Sequence, residues 1–152
     1  MKLKTLSFLP ATALAICTLG SLTSCDKDEE NNNNTYTISA TMNGSKEVPS
    51  NTSTGTGTLT GTYDADDNVL TYSATWNGLT GTATAAHFHG PASTTTTASP
   101  VVSFVIVGNG ATGVKTLTDT EEQDLLNGMW YVNVHTANYT GGEIRGQVSA
   151  AK

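Results

Sequence analysis

The chain has three histidines, and two of them stand at alternate positions in Thr84-Ala85-Ala86-His87-Phe88-His89-Gly90-Pro91-Ala92, a stretch that reads as a strand broken by glycine and proline. Successive strand side chains point to opposite faces, so His87 and His89 share one face and Ala86 and Phe88 the other. Phe88 is thereby expected in the core and the imidazoles outside it. His135 ends a second run, Met129-Trp130-Tyr131-Val132-Asn133-Val134-His135, where Val132 and Val134 share one face and Tyr131, Asn133 and His135 the other. If the two strands are neighbours, three outward imidazoles meet. Three neutral rings bind a borderline ion at about 2.0 Å, and a set with neither thiolate nor oxygen ligands favours copper(II) over zinc. Copper is therefore the cofactor to which His87, His89 and His135 point. The alternative use of the same rings is structural, as hydrogen-bond donors to backbone carbonyls or to Glu47 and Glu143 that steady the loops at that end.

Glu47, Glu143 and Arg145 form a second group. Arginine's planar fork pairs with carboxylates, so an ion pair of Arg145 with Glu47 or Glu143 is expected to clip an early loop to the last strand. A catalytic use of the two carboxylates has no nucleophile or substrate groove to go with it. Trp76, Trp130 and Tyr139 invite a sugar-platform reading, but Trp76 falls on the apolar face of its strand and belongs to the core.

The elements that hold these residues begin after a leader. Lys2 and Lys4 precede an apolar run from Leu6 to Leu19, too short for a bilayer-spanning helix and of signal-peptide length. It ends in Leu22-Thr23-Ser24-Cys25, which resembles the bacterial lipobox, where the chain is cut before a cysteine that receives acyl chains such as palmitate. Residues 1–24 are expected to leave, and residues 25–34 to form a lipidated Cys25 with a polar tether, Asp26 to Asn34, that has no apolar residue to bury. Cys17 departs with the leader, so the domain at 35–152 has no free thiol and no disulfide. Acyl chains would hold the protein on a membrane without a spanning helix. The acidic run behind Cys25 resembles a surface-export signal of one Gram-negative lineage. The expected place is the outer membrane, surface-exposed, with the periplasmic face as the alternative; an aspartate next to the cysteine also resembles an inner-membrane retention signal.

The formal net charge is −6, and about −8 once Lys2 and Lys4 are gone. Such a surface repels phosphate backbones, which excludes nucleic acid as a partner. Threonine and glycine enrichment points to β structure.

Tyr36 to Met42 alternates apolar and polar residues and stops at Asn43-Gly44. Thr54 to Tyr63 alternates threonines with Gly57, Leu59, Gly61 and Tyr63, and pairs as a hairpin with Leu70 to Trp76. The acidic turn Asp64 to Asn68 lacks the ligand spacing of a calcium loop. Val101 to Val107 is the most apolar run after the leader, expected as a central strand. Ala111 to Leu117 is expected as a short extended piece. Thr118 as N-cap, Glu121 three residues later and Gly128 as terminator predict one short helix that docks Leu125 and Leu126. The predicted fold is all-β, an antiparallel immunoglobulin-like sandwich or Greek-key barrel with one short helix.

Several of these pieces resemble the CHRD domain: Gly44-Ser45-Lys46-Glu47-Val48-Pro49, Leu70-Thr71-Tyr72, Gly78-Leu79-Thr80, Ala85 to Ala92, Asp124-Leu125-Leu126-Asn127-Gly128, Tyr131 to Thr136 and Tyr139 to Gln147. The resemblance implies an immunoglobulin-like β fold distantly similar to copper/zinc superoxide dismutase. Those enzymes place a His-x-His strand and a later strand histidine on copper, and His87, His89 and His135 would stand in analogous positions. Further histidines for a zinc-bridged site and a cysteine pair are missing. The expected function is a lipid-anchored extracytoplasmic interaction module, not an enzyme, which binds an extracellular protein or polysaccharide. The alternative is a copper-binding or dismutase-like redox protein.

Overall fold

The computed structural model describes residues 34–152; the predicted leader, Cys25 and the tether as far as Asn33 lie outside the described residues. The strands are β1 (Thr35–Asn43), β2 (Thr56–Asp64), β3 (Val69–Asn77), β4 (Ala83–His89), β5 (Pro100–Ser103), β6 (Ile106–Val107), β7 (Gly110–Thr116), β8 (Tyr131–Thr136), β9 (Ile144–Gln147) and β10 (Ser149–Ala151). One turn of 3-10 helix, Gly44–Lys46, follows β1, and α1 (Asp119–Leu126) connects β7 to β8. Among the described residues no helix is long and apolar enough to cross a membrane.

All pairings are antiparallel, in the order β5-β4-β8-β9-β1-β2-β3-β7-β6, with β10 also on β1. The strands at the two ends of this order, β5 and β6, are joined through Phe104 and Val105 alone. The three Cα–Cα steps from Ser103 to Ile106 span at most about 10 Å, so the sheet must curl until its edges come together. Phe104 completes the closure by donating its N–H to Ala86 O of β4 at 2.9 Å. Its ring packs 4.6 Å from that of Tyr72 on β3 and 4.9 Å from that of Phe88 on β4, and these two rings lie 5.0 Å apart. The core is thus enclosed between the two halves of one folded sheet. Ile38, Met42, Leu59, Tyr63, Leu70 and Trp76 fill it from one side and Phe88, Val132, Val134 and Ile144 from the other.

The expected all-β antiparallel architecture is what forms, and the second and third strands pair as the predicted hairpin. The run at 101–107 is a correction. It is not a central strand but is split between the two edges of the sheet, and Val105 and Val107 are each 76% exposed. Its apolar content reflects the crossing from one edge to the other, where Phe104 alone turns fully inward.

The predicted helix has the predicted cap. Thr118 Oγ1 accepts from Glu121 N–H at 3.3 Å, while Glu121 Oε2 accepts from Thr118 N–H at 2.8 Å. Leu125 is buried, Leu126 packs against the core, and Gly128 ends the turn at φ +68°.

Candidate metal centre

Strands β4 and β8 are direct neighbours, with Ala85 opposite His135, His87 opposite Asn133 and His89 opposite Tyr131. Alternation then puts His87, His89, Tyr131, Asn133 and His135 together on the outer face, while Phe88, Val132 and Val134 point into the core. The three histidines each present one ligand atom within 4.8 Å of the others. His87 Nδ1 and His135 Nε2 are 3.2 Å apart. Two nitrogens on one ion at about 2.0 Å would be separated by about 3.3 Å in tetrahedral and about 2.8 Å in square geometry, so this pair already has a ligand-pair spacing.

Two backbone carbonyls orient the rings. His89 Nδ1 lies 2.9 Å from Ala98 O and His135 Nδ1 lies 2.9 Å from Thr140 O. A carbonyl accepts only, so both Nδ1 atoms are protonated, and Nε2 is the atom of each ring that could ligate. This outer arrangement of Nδ1–H on a carbonyl is the one that fixes the tautomer of metal-bound imidazoles. Burial holds His87 below the usual histidine range, reinforced by His135 and His89. Burial also lowers His89, against the pull of its bonds to Ala98 and Asn133. Neutral imidazole is the form a metal needs. His89 Nε2 lies 3.0 Å from Asn133 Oδ1, which accepts only, so in this arrangement Nε2 donates as well and must give up its proton before it can ligate. Ligation by His89 therefore exchanges that bond for the ion.

The expected ion pair of Arg145 with Glu47 or Glu143 does not form, which is a second correction. Among the described residues the ion pair is Lys115–Glu121 at 3.6 Å. Glu143 is inaccessible to solvent and is fully employed by neutral donors: Thr136 Oγ1 at 2.6 Å, Ser53 Oγ at 2.7 Å, Thr80 N–H at 2.7 Å and Thr80 Oγ1 at 2.9 Å. Burial alone would raise its pKa, but these bonds outweigh it and hold the carboxyl below its ordinary value. The clip to the early chain exists, made by Ser53 and Thr80 in place of a cation. Arg145 instead lies 3.6 Å over the Tyr131 ring and donates through Nη2 to Ser93 O at 2.9 Å. Tyr131 in turn stacks on His89, with ring centres 4.7 Å apart and planes 2° from parallel.

Glu47 is buried beside Asn133, and its Oε1 has no hydrogen-bond partner. Burial pushes its pKa up to about 7, only partly offset by Arg145, Val48 and Asn133. Gly142, at φ +130°, makes room for this carboxyl: a Cβ there would collide with Glu47 Oε1 and stand 2.7 Å from Asn133 Nδ2. Glu47 and Glu143 accept nothing from the histidines.

A family model, the CHRD domain, matches residues 38–148, from the first buried position of β1 to the residue between β9 and β10. The chain belongs to the CHRD domain family. Comparison with curated proteins and with solved structures gives no significant match. Membership supports a binding or interaction module, and all three histidines lie inside the matched segment.

Within this CHRD domain, Trp76 and Trp130 are core residues and no sugar platform. Neither the Glu143 cradle of Ser53, Thr80 and Thr136 nor the carbonyls of Ala98 and Thr140 is evident from residue types: Ser53 and Thr80 are 90 and 63 residues from Glu143, and the nearer partners depend on how the chain turns after β4 and β8. Asn133 and Tyr131 were legible as neighbours of His135 on one strand face.

Proposed function

We propose that this CHRD domain is a non-catalytic, extracytoplasmic binding module, held on the membrane by lipid on Cys25, and that the outer face of β4 and β8 holds a copper(II) ion through His87, His89 and His135. The convergence of three imidazole ligand atoms within 4.8 Å supports this reading above any other feature. Nitrogen-only ligation favours copper(II) by intrinsic affinity. Two of the rings are already oriented by carbonyls, which reduces the ordering cost of binding. The bound ion would tie the 92–98 loop, through His89 and Ala98, to the Thr140 loop, through His135, and so shape the surface offered to an extracellular protein or polysaccharide. The expected location is the outer membrane, facing outward.

Titration of the purified chain with copper(II) tests the reading. One equivalent should bind with a visible ligand-field band, and at a free concentration 100 times Kd the fold should gain about 2.7 kcal/mol. Each of His87→Ala, His89→Ala and His135→Ala should weaken binding by at least about tenfold. A thermal midpoint unmoved by copper, with no band, would end the metal reading.

A further inference from the structure

Four cationic side chains lie among the described residues, and they are not used alike. Lys115 pairs with Glu121 at 3.6 Å, and Lys152 Nζ bonds Asn34 Oδ1 at 3.1 Å. Lys46 and Arg145 have no carboxylate partner among the described residues, and both line one cleft of about 350 Å³ with Thr41, Ser45, Thr94 and Gln147. No acidic residue lines it. In a chain of net charge −6, two cations that share a cleft and make no ion pair of their own, with Glu47 as the one carboxyl acting on Arg145, mark a place suited to an anion.

The cleft is pre-set. Lys46 Nζ is pinned by Thr41 O at 2.7 Å and Thr41 Oγ1 at 2.6 Å, which leaves its third N–H unclaimed. Arg145 is 1% exposed, is held flat on Tyr131, and its Nη1 has no partner. Gln147 is locked by Nε2 bonds of 2.8 Å to both Ala92 O and Gly128 O, and its Oε1 accepts from Arg145 Nη2 at 3.4 Å. Cations fixed before the ligand arrives lose little side-chain freedom on binding.

We infer that this cleft binds an acidic sugar unit, whose carboxylate is drawn to Lys46 and Arg145 and whose hydroxyls meet Thr41, Ser45 and Thr94. The volume is at the lower end of the range for organic ligand sites and much larger than a lone inorganic anion fills. Neutral hydroxyls around the cations suit a polyol, and the cleft offers no aromatic face to stack a base. The inference uses none of the three histidines, so the presence or absence of copper does not bear on it.

The test is calorimetric titration of the metal-free full chain with D-galacturonate, D-galactose and sulfate, repeated for Lys46→Glu and Thr94→Val. Galacturonate should bind, galactose should bind at least tenfold more weakly, and added salt should weaken galacturonate further. Lys46→Glu should cost at least tenfold while leaving the thermal midpoint within a few degrees, since Lys46 is a surface residue. Thr94→Val should cost a few-fold for galacturonate. Galacturonate that fails to bind, or that binds Lys46→Glu as well as the original chain, would overturn the site. Sulfate bound as tightly as galacturonate would overturn the sugar assignment.

Discussion

At His89 both ring nitrogens face oxygen acceptors. Nδ1–H is committed to Ala98 O, while Nε2 faces Asn133 and is the atom a metal would take. Asn133 sits between this ring and the buried carboxyl of Glu47, whose cost is the clearest energetic feature of the site. The Glu47 pKa is raised from 4.5 to about 7, so the folded state holds a proton that the unfolded chain releases. That contribution is present in full below about pH 4.5 and is lost as pH rises through about 7, where ionisation costs the fold roughly 3 kcal/mol. Glu47→Gln, neutral at every pH, should therefore leave the thermal midpoint unchanged near pH 4 and raise it at pH 8. Melting curves at the two pH values check this; an equal effect at both would show that burial is not what perturbs the group. Glu143 follows the opposite logic, since its four bonds favour the charged form and its contribution is lost as pH falls below its depressed pKa.

Among the elements, α1 depends on local signals and the edge strands do not. The helix has eight residues, too few to be stable alone, so its capping box and the docking of Leu125 decide whether it forms. Thr118→Ala removes the side-chain acceptor at the N-cap and should cost about 1 kcal/mol. Urea unfolding would detect it as a lower midpoint with an unchanged slope, and no change in midpoint would mean that packing alone holds the helix. The edge strands β5 and β6 show the contrary case. Val101, Val102, Val105, Ile106 and Val107 have high β propensity whether they are central or peripheral, and only the position of Phe104 at the closure assigns them to edges.

For the whole molecule, closure of the curled sheet and attachment to a surface are separate questions. Closure rests on a cluster of Tyr72, Phe88 and Phe104 contributed by both halves of the sheet. The proposed attachment would rest on Cys25, outside the described residues. On the proposed anchor, Cys25→Ala should leave the protein unprocessed or soluble in the cell of origin, because lipid attachment and leader cleavage at a lipobox would both require that cysteine. Partitioning into detergent that survives the substitution would defeat the anchor.

Much of this protein is written locally in its sequence. Alternation within each strand assigned Phe88, Val132 and Val134 inward and His87, His89 and His135 outward, because side-chain direction follows from the backbone of the strand itself. The helix cap was equally legible, since Thr118 and Glu121 are three residues apart and satisfy each other. Strand adjacency was not, and with it the meeting of the imidazoles, because pairing across 48 residues depends on how the sheet curls rather than on either strand alone. The same reason explains Glu143 and Arg145. Opposite charge suggested that they pair, but tertiary structure delivered neutral donors from residues 53, 80 and 136 to the carboxylate and an aromatic face to the guanidinium, so each was satisfied, or left uncompensated, by groups that only folding brings near.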